Sequence, residues 1–465
     1  MARKIAEFFG TRLLSAAEVG VVGTLAAIAA LLVVDHRTLP ALVVAFIPLA
    51  AFCFNRTRFV YVGLLMPVLA ATLVFGRSAD VPVGPVYLLD ATVVLVVLLT
   101  LPTIIDAAAR YPAISAVLLF LIGITAAEVF RAGISRVVLR QSVLGFYAIW
   151  VFVGIAVARA NLLERFARVV FWAAVGTTVV FAIGLTLVSN LRSPTPLAPS
   201  LYISYGLLVV LFASNFIRHS LWLNVLIAVQ IAFIGLGMMR SVWFAFAVAV
   251  GMTLAISSTA TRATRRIVRL LALASAVLIF GAFVYPSTIA SVSREAVSVI
   301  DDNAGTKLSN DNAKWRLTNW QYAIAEIRKH PILGIGFGQP EVPASVCKAA
   351  CSLQNAHDDP TVLNGSDLHN SILAIPLRLG LPALLALLMF EVMVIERARR
   401  SARRSTVVQW LFGCHVLTAF TALTAVVLEG PYMGIFFWFF GGLVIGAGSA
   451  TESSGMVTES DTTTT

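Results

Sequence analysis

Long apolar runs separated by short, charged loops fill most of the chain, and the runs decide the class of fold. Stretches such as "VGVVGTLAAIAALLVV", "VYLLDATVVLVVLLTLPTII" and "VVFWAAVGTTVVFAIGLTLV" approach the ~20 apolar residues needed to cross a hydrocarbon layer about 30 Å thick. No alternating ten-residue strand pattern accompanies them. Backbone groups in lipid must be satisfied within the segment, so the runs predict helices. Fourteen spans are read, at about residues 19–34, 39–54, 59–76, 86–105, 112–130, 142–159, 169–188, 199–217, 221–239, 241–257, 267–284, 369–395, 407–428 and 431–448.

The pattern breaks once at length, from Tyr285 to Leu368, a segment too long and polar to be a simple connection. Inside it, "NDNAKWRLTNWQYAIAEIRKHPILGIGFG" predicts a helix. Asn310 or Asp311 can cap it, Leu317, Trp320, Ile324 and Ile327 recur at helical spacing, and Pro331 ends it after His330. The tryptophans and the apolar stripe fit a helix lying on a membrane surface. The alternate glycines Gly334, Gly336 and Gly338 lack the preceding strand that a dinucleotide fingerprint requires. They read instead as a tight turn whose backbone comes close to a neighbour.

Composition agrees with the pattern: 59% of the 465 residues are hydrophobic and 12% charged, with a mean hydropathy of +0.90. Soluble domains carry about twice that charged fraction. A net charge of +11 raises the question of nucleic acid, but the basic residues form no single stripe, and no nucleic-acid partner is expected. More than half of the 34 Lys and Arg residues fall in the short loops that share one side if the N-terminus is inside, including Arg262, Arg265 and Arg266 and the set from Arg397 to Arg404. By the positive-inside rule both termini are cytoplasmic and segment 285–368 is external. The domains then read as an N-terminal bundle of about eleven spans (1–284), the large external loop (285–368), the C-terminal spans (369–449) and a disordered cytoplasmic tail (450–465). The expected fold class is an all-α integral membrane protein with about 14 transmembrane helices and one large external loop containing an interfacial helix. Cys347 and Cys351 share that loop, where a disulfide is chemically permitted.

Three polar groups then fall on the same, external side. Arg240 stands at the outer turn in "GLGMMRSVWFAF", Arg316 in "KWRLTNW", and His369 with Asn370 at the mouth of a span in "DLHNSIL". An arginine among apolar neighbours at a helix end calls for an anionic partner. Glu429 in "LEGPYMG" is one structural candidate for Arg240, and Arg316 and His369 taken singly fit an exposed loop charge and a helix-start histidine. Arg131, Arg136 and Arg140 in "FRAGISRVVLR" add an external basic stretch that fits either an accessory anion contact or a solvated helix face. Arg378 lies nine residues past His369, half a turn out of phase, and is expected to face a different neighbour.

Arg240 opening a span, "WR…W…A…HPILGIGFG" in the large loop and "HN…L…LGLPALL" opening the next span resemble the O-antigen ligase and polysaccharide polymerase superfamily of membrane glycosyltransferases, over about residues 220–395. The chain departs from that pattern in having more spans than such ligases commonly have, and in the insert "VCKAACSLQNAHDDP". The resemblance implies a transferase that uses a polyprenyl-diphosphate-linked glycan as donor and a glycan, lipid or protein hydroxyl as acceptor. It also implies an active site on the external face of the plasma membrane, where Arg240 and Arg316 bind the diphosphate and His369 acts in the transfer. The residue chemistry agrees. Guanidinium forks meet a diphosphate bidentately, and nearby arginines favour the neutral imidazole that can take a proton from a hydroxyl. Asn370 is expected to orient the loop or cap the helix. No cofactor and no metal is expected, because no DxD pair or His/Cys/carboxylate cluster with ligand spacing stands out. The alternatives are a repeat-unit polymerase of the same superfamily and, from another class, a flippase or transporter of lipid-linked oligosaccharides.

Overall fold

The computed structural model describes residues 82–83, 86–87, 97, 101–160, 197–213, 225, 227–231, 240–257, 307–347, 365–366, 368–403, 405–429 and 431–460, with most of 163–178. The first three predicted spans, the one at 267–284, Cys351 and most of the insert lie outside the described residues.

Within the described residues the apolar runs form helices. They are α1 (Pro112–Ala132), α2 (Arg136–Phe146), α3 (Trp150–Arg159), α4 (Leu197–Phe212), α5 (Arg240–Ile256), α6 (Lys307–Lys329), α7 (Ser371–Leu379), α8 (Leu381–Ser401), α9 (Thr406–Ala422) and α10 (Pro431–Ser460). A turn of 3-10 helix at Tyr147–Ile149 joins α2 to α3. Pro112–Ala132 and Val137–Arg159 are each long and apolar enough to cross a membrane, and four shorter apolar helices lie within α4, α5, α9 and α10. Extended structure among the described residues is limited to two antiparallel pairs, Pro82–Val83 with Val86–Tyr87 and Val342–Pro343 with Gly365–Ser366.

Helix α10 is central, packed on α3, α8 and α9, while α9 also packs on α4 and α5, and α8 on α1. Small residues permit this. Any side chain on Gly442 would collide with the Val151 carbonyl, and one on Gly446 with Ala158 and Ile155, so the Gly442–Gly446 spacing brings α10 against α3 backbone to backbone, as small residues four apart do in lipid. Trp150, Phe166, Trp410 and the run Phe436–Phe440 fill the remaining space. The outer face of α8 carries Leu381, Leu385, Leu388, Met389, Val392 and Ile395 exposed, as a lipid-facing surface requires.

Three elements differ from their sequence reading. The span expected at 369–395 is two helices, α7 and α8, broken at Gly380, whose φ is +82° and where a Cβ would strike the Ile332 carbonyl. Helix α6 begins at Lys307, so Asn310 and Asp311 lie inside it. Its apolar stripe splits, with Trp320 and Ile327 packed inward and Leu317 and Ile324 exposed. Helix α10 continues to Ser460, through a stretch whose polar composition predicts a tail. Residues 449–460 contain no proline, and each added residue of a growing helix needs only one more backbone bond.

Candidate active site

The directions of the helices gather the candidate residues at one end of the bundle. Phe244 stacks near Phe420, and Gly413 lies against Thr253, so α5 and α9 run antiparallel. The start of α5 at Arg240 therefore lies at the same end as the last turn of α9. Arg316 reaches the chain just past that last turn, its Nη1 donating to the Thr424 carbonyl at 3.0 Å. Residues 425–429 fold back onto the first turn of α7: Ser371 Oγ accepts from the N–H groups of Val427 (2.8 Å) and Leu428 (3.1 Å) and donates toward the Ala425 carbonyl and the Glu429 carboxylate. Arg316, His369 to Ser371 and Glu429 thus form one cluster, with the backbone of Arg240 at the same end. The side chains of Arg240 and Arg136 are outside the described residues. Arg140 is exposed on α2.

His369 is half-buried beside Trp315, with ring centroids 5.2 Å apart and an edge-to-face angle of 67°. Its φ is +50°, the one positive value among described non-glycine residues. Asn370 caps α7 as expected, its Oδ1 accepting from Leu373 N at 3.1 Å. Capping satisfies one of the helix's free N–H groups and fixes where the chain leaves His369.

The glycine turn is the buttress of this end. Ile335 N and Gly336 N donate to the carbonyls of Leu377 and Arg378, at 2.7 and 3.1 Å, and Leu381 N donates to Pro331 O. Ile335 and Gly336 therefore satisfy carbonyls of the last turn of α7, and Pro331 O satisfies the first N–H of α8. At Gly334 (φ +64°) a side chain would collide with the α7 backbone, and at Gly336 with Arg131 and Glu128 of α1. Gln141 of α2 holds the far side, accepting from Gly338 N at 2.6 Å and donating to Gln339 O at 3.1 Å. Arg378 does face a different neighbour. Almost fully buried, it donates to the carbonyls of Gly336 (3.2 Å) and Gln339 (2.8 Å) and lies 3.5 Å from the Glu341 carboxylate.

Residues 223–388 match the family profile described as O-antigen ligase. That segment is similar to the O-antigen ligase family. The matched segment opens before α5 and closes within α8, and so contains Arg240, Arg316 and His369. The match bears out the resemblance read from the sequence. No curated protein matches the chain.

Several residues of the matched segment escaped the sequence. Ser371 and Glu341 give no local signal, because their partners lie 54–58 and 27 residues away. Trp315 and Trp320 are visible in "KWRLTNW" but read as membrane-surface anchors; in the structure both face the His369 loop.

Proposed function

We propose that the protein is a metal-independent glycosyltransferase of O-antigen ligase type. It moves a glycan from a polyprenyl diphosphate to an acceptor hydroxyl on the external face of the plasma membrane. The observation that carries this reading is the convergence of the α5 start, Arg316 and His369 at one end of the bundle, inside the segment matched to the family. In the reaction, a nitrogen of the His369 imidazole takes the acceptor hydroxyl proton and the acceptor oxygen bonds to the anomeric carbon. The bond from that carbon to the diphosphate oxygen breaks, and polyprenyl diphosphate leaves with the electron pair. Arg240 and Arg316 meet the charge on the leaving group. Arg316 is suited to this: its fork is braced by Thr424, so the guanidinium is oriented before the donor arrives. Arg136 and Arg140 serve as accessory contacts for anionic parts of the donor, and Asn370 holds the helix mouth.

The test is turnover of a polyprenyl-diphosphate-linked glycan by purified protein in lipid. Release of polyprenyl diphosphate with the glycan joined to an acceptor is expected. Repeat-unit chains as the product would mean a polymerase, and movement of intact donor across the bilayer without release would mean a transporter. His369→Ala is expected to lower the rate by ~10²–10⁴-fold, the usual contribution of a positioned general base, with donor binding retained. Activity within a few-fold of wild type in a folded His369→Ala protein would reject the assignment.

A further inference from the structure

The left-handed backbone of His369 needs an explanation beyond the cap that follows it. A residue with a Cβ meets steric opposition at positive φ and stays there only when its surroundings over-determine the conformation. The torsion φ of His369 is the rotation between its Cα and the peptide plane shared with Leu368. That plane is held directly: Trp320 Nε1 donates to Leu368 O at 2.9 Å. The preceding peptide is held too, with Leu368 N donating to Glu341 Oε2 at 2.8 Å, while the Leu368 side chain is fully buried in the cluster of Ala323, Val342, Ala374 and Leu377. On the other side of His369, α7 is fixed by the Asn370 cap and by Ser371.

Glu341 is itself oriented. Its buried carboxylate faces Arg378, whose Nη1 is tied to the carbonyls of Gly336 and Gln339. The strand pair Val342–Ser366 and Pro343–Gly365 sets Glu341 opposite the approach to Leu368. A continuous path of contacts thus runs from the glycine turn through Arg378 and Glu341 to the peptide in front of His369, and Trp320 closes it from α6.

We propose that Glu341 and Trp320 are positioning residues, which clamp the two peptide groups of Leu368 and so hold His369 in the left-handed conformation that aims its imidazole at the reacting hydroxyl. This rests on the reading of His369 as the base, and it adds that the base is pre-set by residues that need not touch substrate. The alternate glycines act in the same device, because the buttress they build orients Arg378, and through it Glu341.

The experiment has a stability arm and a kinetic arm. Glycine accepts positive φ without strain and alanine does not, so His369→Gly should melt at a higher temperature than His369→Ala despite its larger loss of chain entropy. Adding Trp320→Phe, which keeps an aromatic ring but removes the N–H donor together with the five-membered ring, should close that gap, because the loop can then relax. The absence of a gap, or a gap indifferent to Trp320→Phe, overturns the clamp. In the kinetic arm, Trp320→Phe alone should lower kcat on the order of 10²-fold with KM for the lipid-linked donor unchanged, and Glu341→Gln, which keeps an acceptor for Leu368 N–H, should lower it less than Glu341→Ala. Wild-type kcat in Trp320→Phe overturns the clamp's part in catalysis. If His369→Ala instead proves active, the base reading is what fails, and the stability arm still decides the clamp.

Discussion

Arg316 shows how much of the site depends on single side chains. It is half-buried, and its Nη1 is committed to Thr424 O, so a lysine at this position could reach the carbonyl or the diphosphate but could not span both with a planar fork. Arg316→Lys and Arg240→Lys are each expected to raise KM for the donor about tenfold or more, since a charge-assisted hydrogen bond contributes ~1.5–3 kcal/mol. Expression and melting temperature should be kept. Donor kinetics matching wild type in both variants would remove the diphosphate from their role. At this scale the sequence is informative where chemistry is local. His369 and Asn370 stand out as polar residues at an apolar mouth, and Asn370 is a good cap because its side chain reaches an N–H three residues along the helix it opens. The positive φ of His369, the Glu341 contact and the Arg378 pair are not legible, because each is imposed by a partner 27 to 48 residues distant.

Among the elements, apolar periodicity locates helices well and breaks poorly. The span predicted at 369–395 carries Pro376 and Pro382, which permit a bend, but the break at Gly380 is held by the glycine turn, where Ile335 and Gly336 donate to α7 carbonyls and Pro331 O accepts from the first N–H of α8. A second long-range contact holds the bundle below. His415 on α9, buried, faces the Phe437 carbonyl of α10 with Nδ1 and Glu391 of α8 with Nε2, all at 3.1 Å. Gly441 leaves room for the ring. A carbonyl can only accept, so Nδ1 donates to Phe437 O, while Nε2 faces the carboxylate. The pair therefore joins three helices by hydrogen bonds where lipid supplies no hydrophobic drive. Glu391→Ala should cost about 1–2 kcal/mol of stability in thermal unfolding in detergent, whereas Glu391→Gln, whose amide still donates to Nε2, should lose less. Equal melting of the two would show that the contact is packing alone.

For the whole molecule, the two ends of the bundle divide the labour. One end holds the glycine turn, α6, the mouth of α7 and the loop after α9, all tied together by hydrogen bonds from Arg316, Gln141, Arg378 and Ser371. At the other, α3 and α8 finish in exposed arginines: Arg159 and Arg110 share Asp106, and Arg399 and Arg400 share Glu396, whose carboxyl their hydrogen bonds hold down to about 2. That division supports an orientation with the arginine-rich end in the cytoplasm and the site where a donor in the outer leaflet meets an acceptor from the aqueous side. The exposed Leu317 and Ile324 of α6, with Ile332 and Leu333 beside the start of α8, would then rest on the outer leaflet. With the four native cysteines replaced, Lys329→Cys at the exposed end of α6, about a third of a turn away from that apolar face, should react with a membrane-impermeant maleimide in intact cells. Arg400→Cys should react only after the membrane is opened. The reverse pattern would put the site on the cytoplasmic face. It would also remove the shared external side from which the roles of Arg240, Arg316 and His369 are argued, even if each of them proved essential.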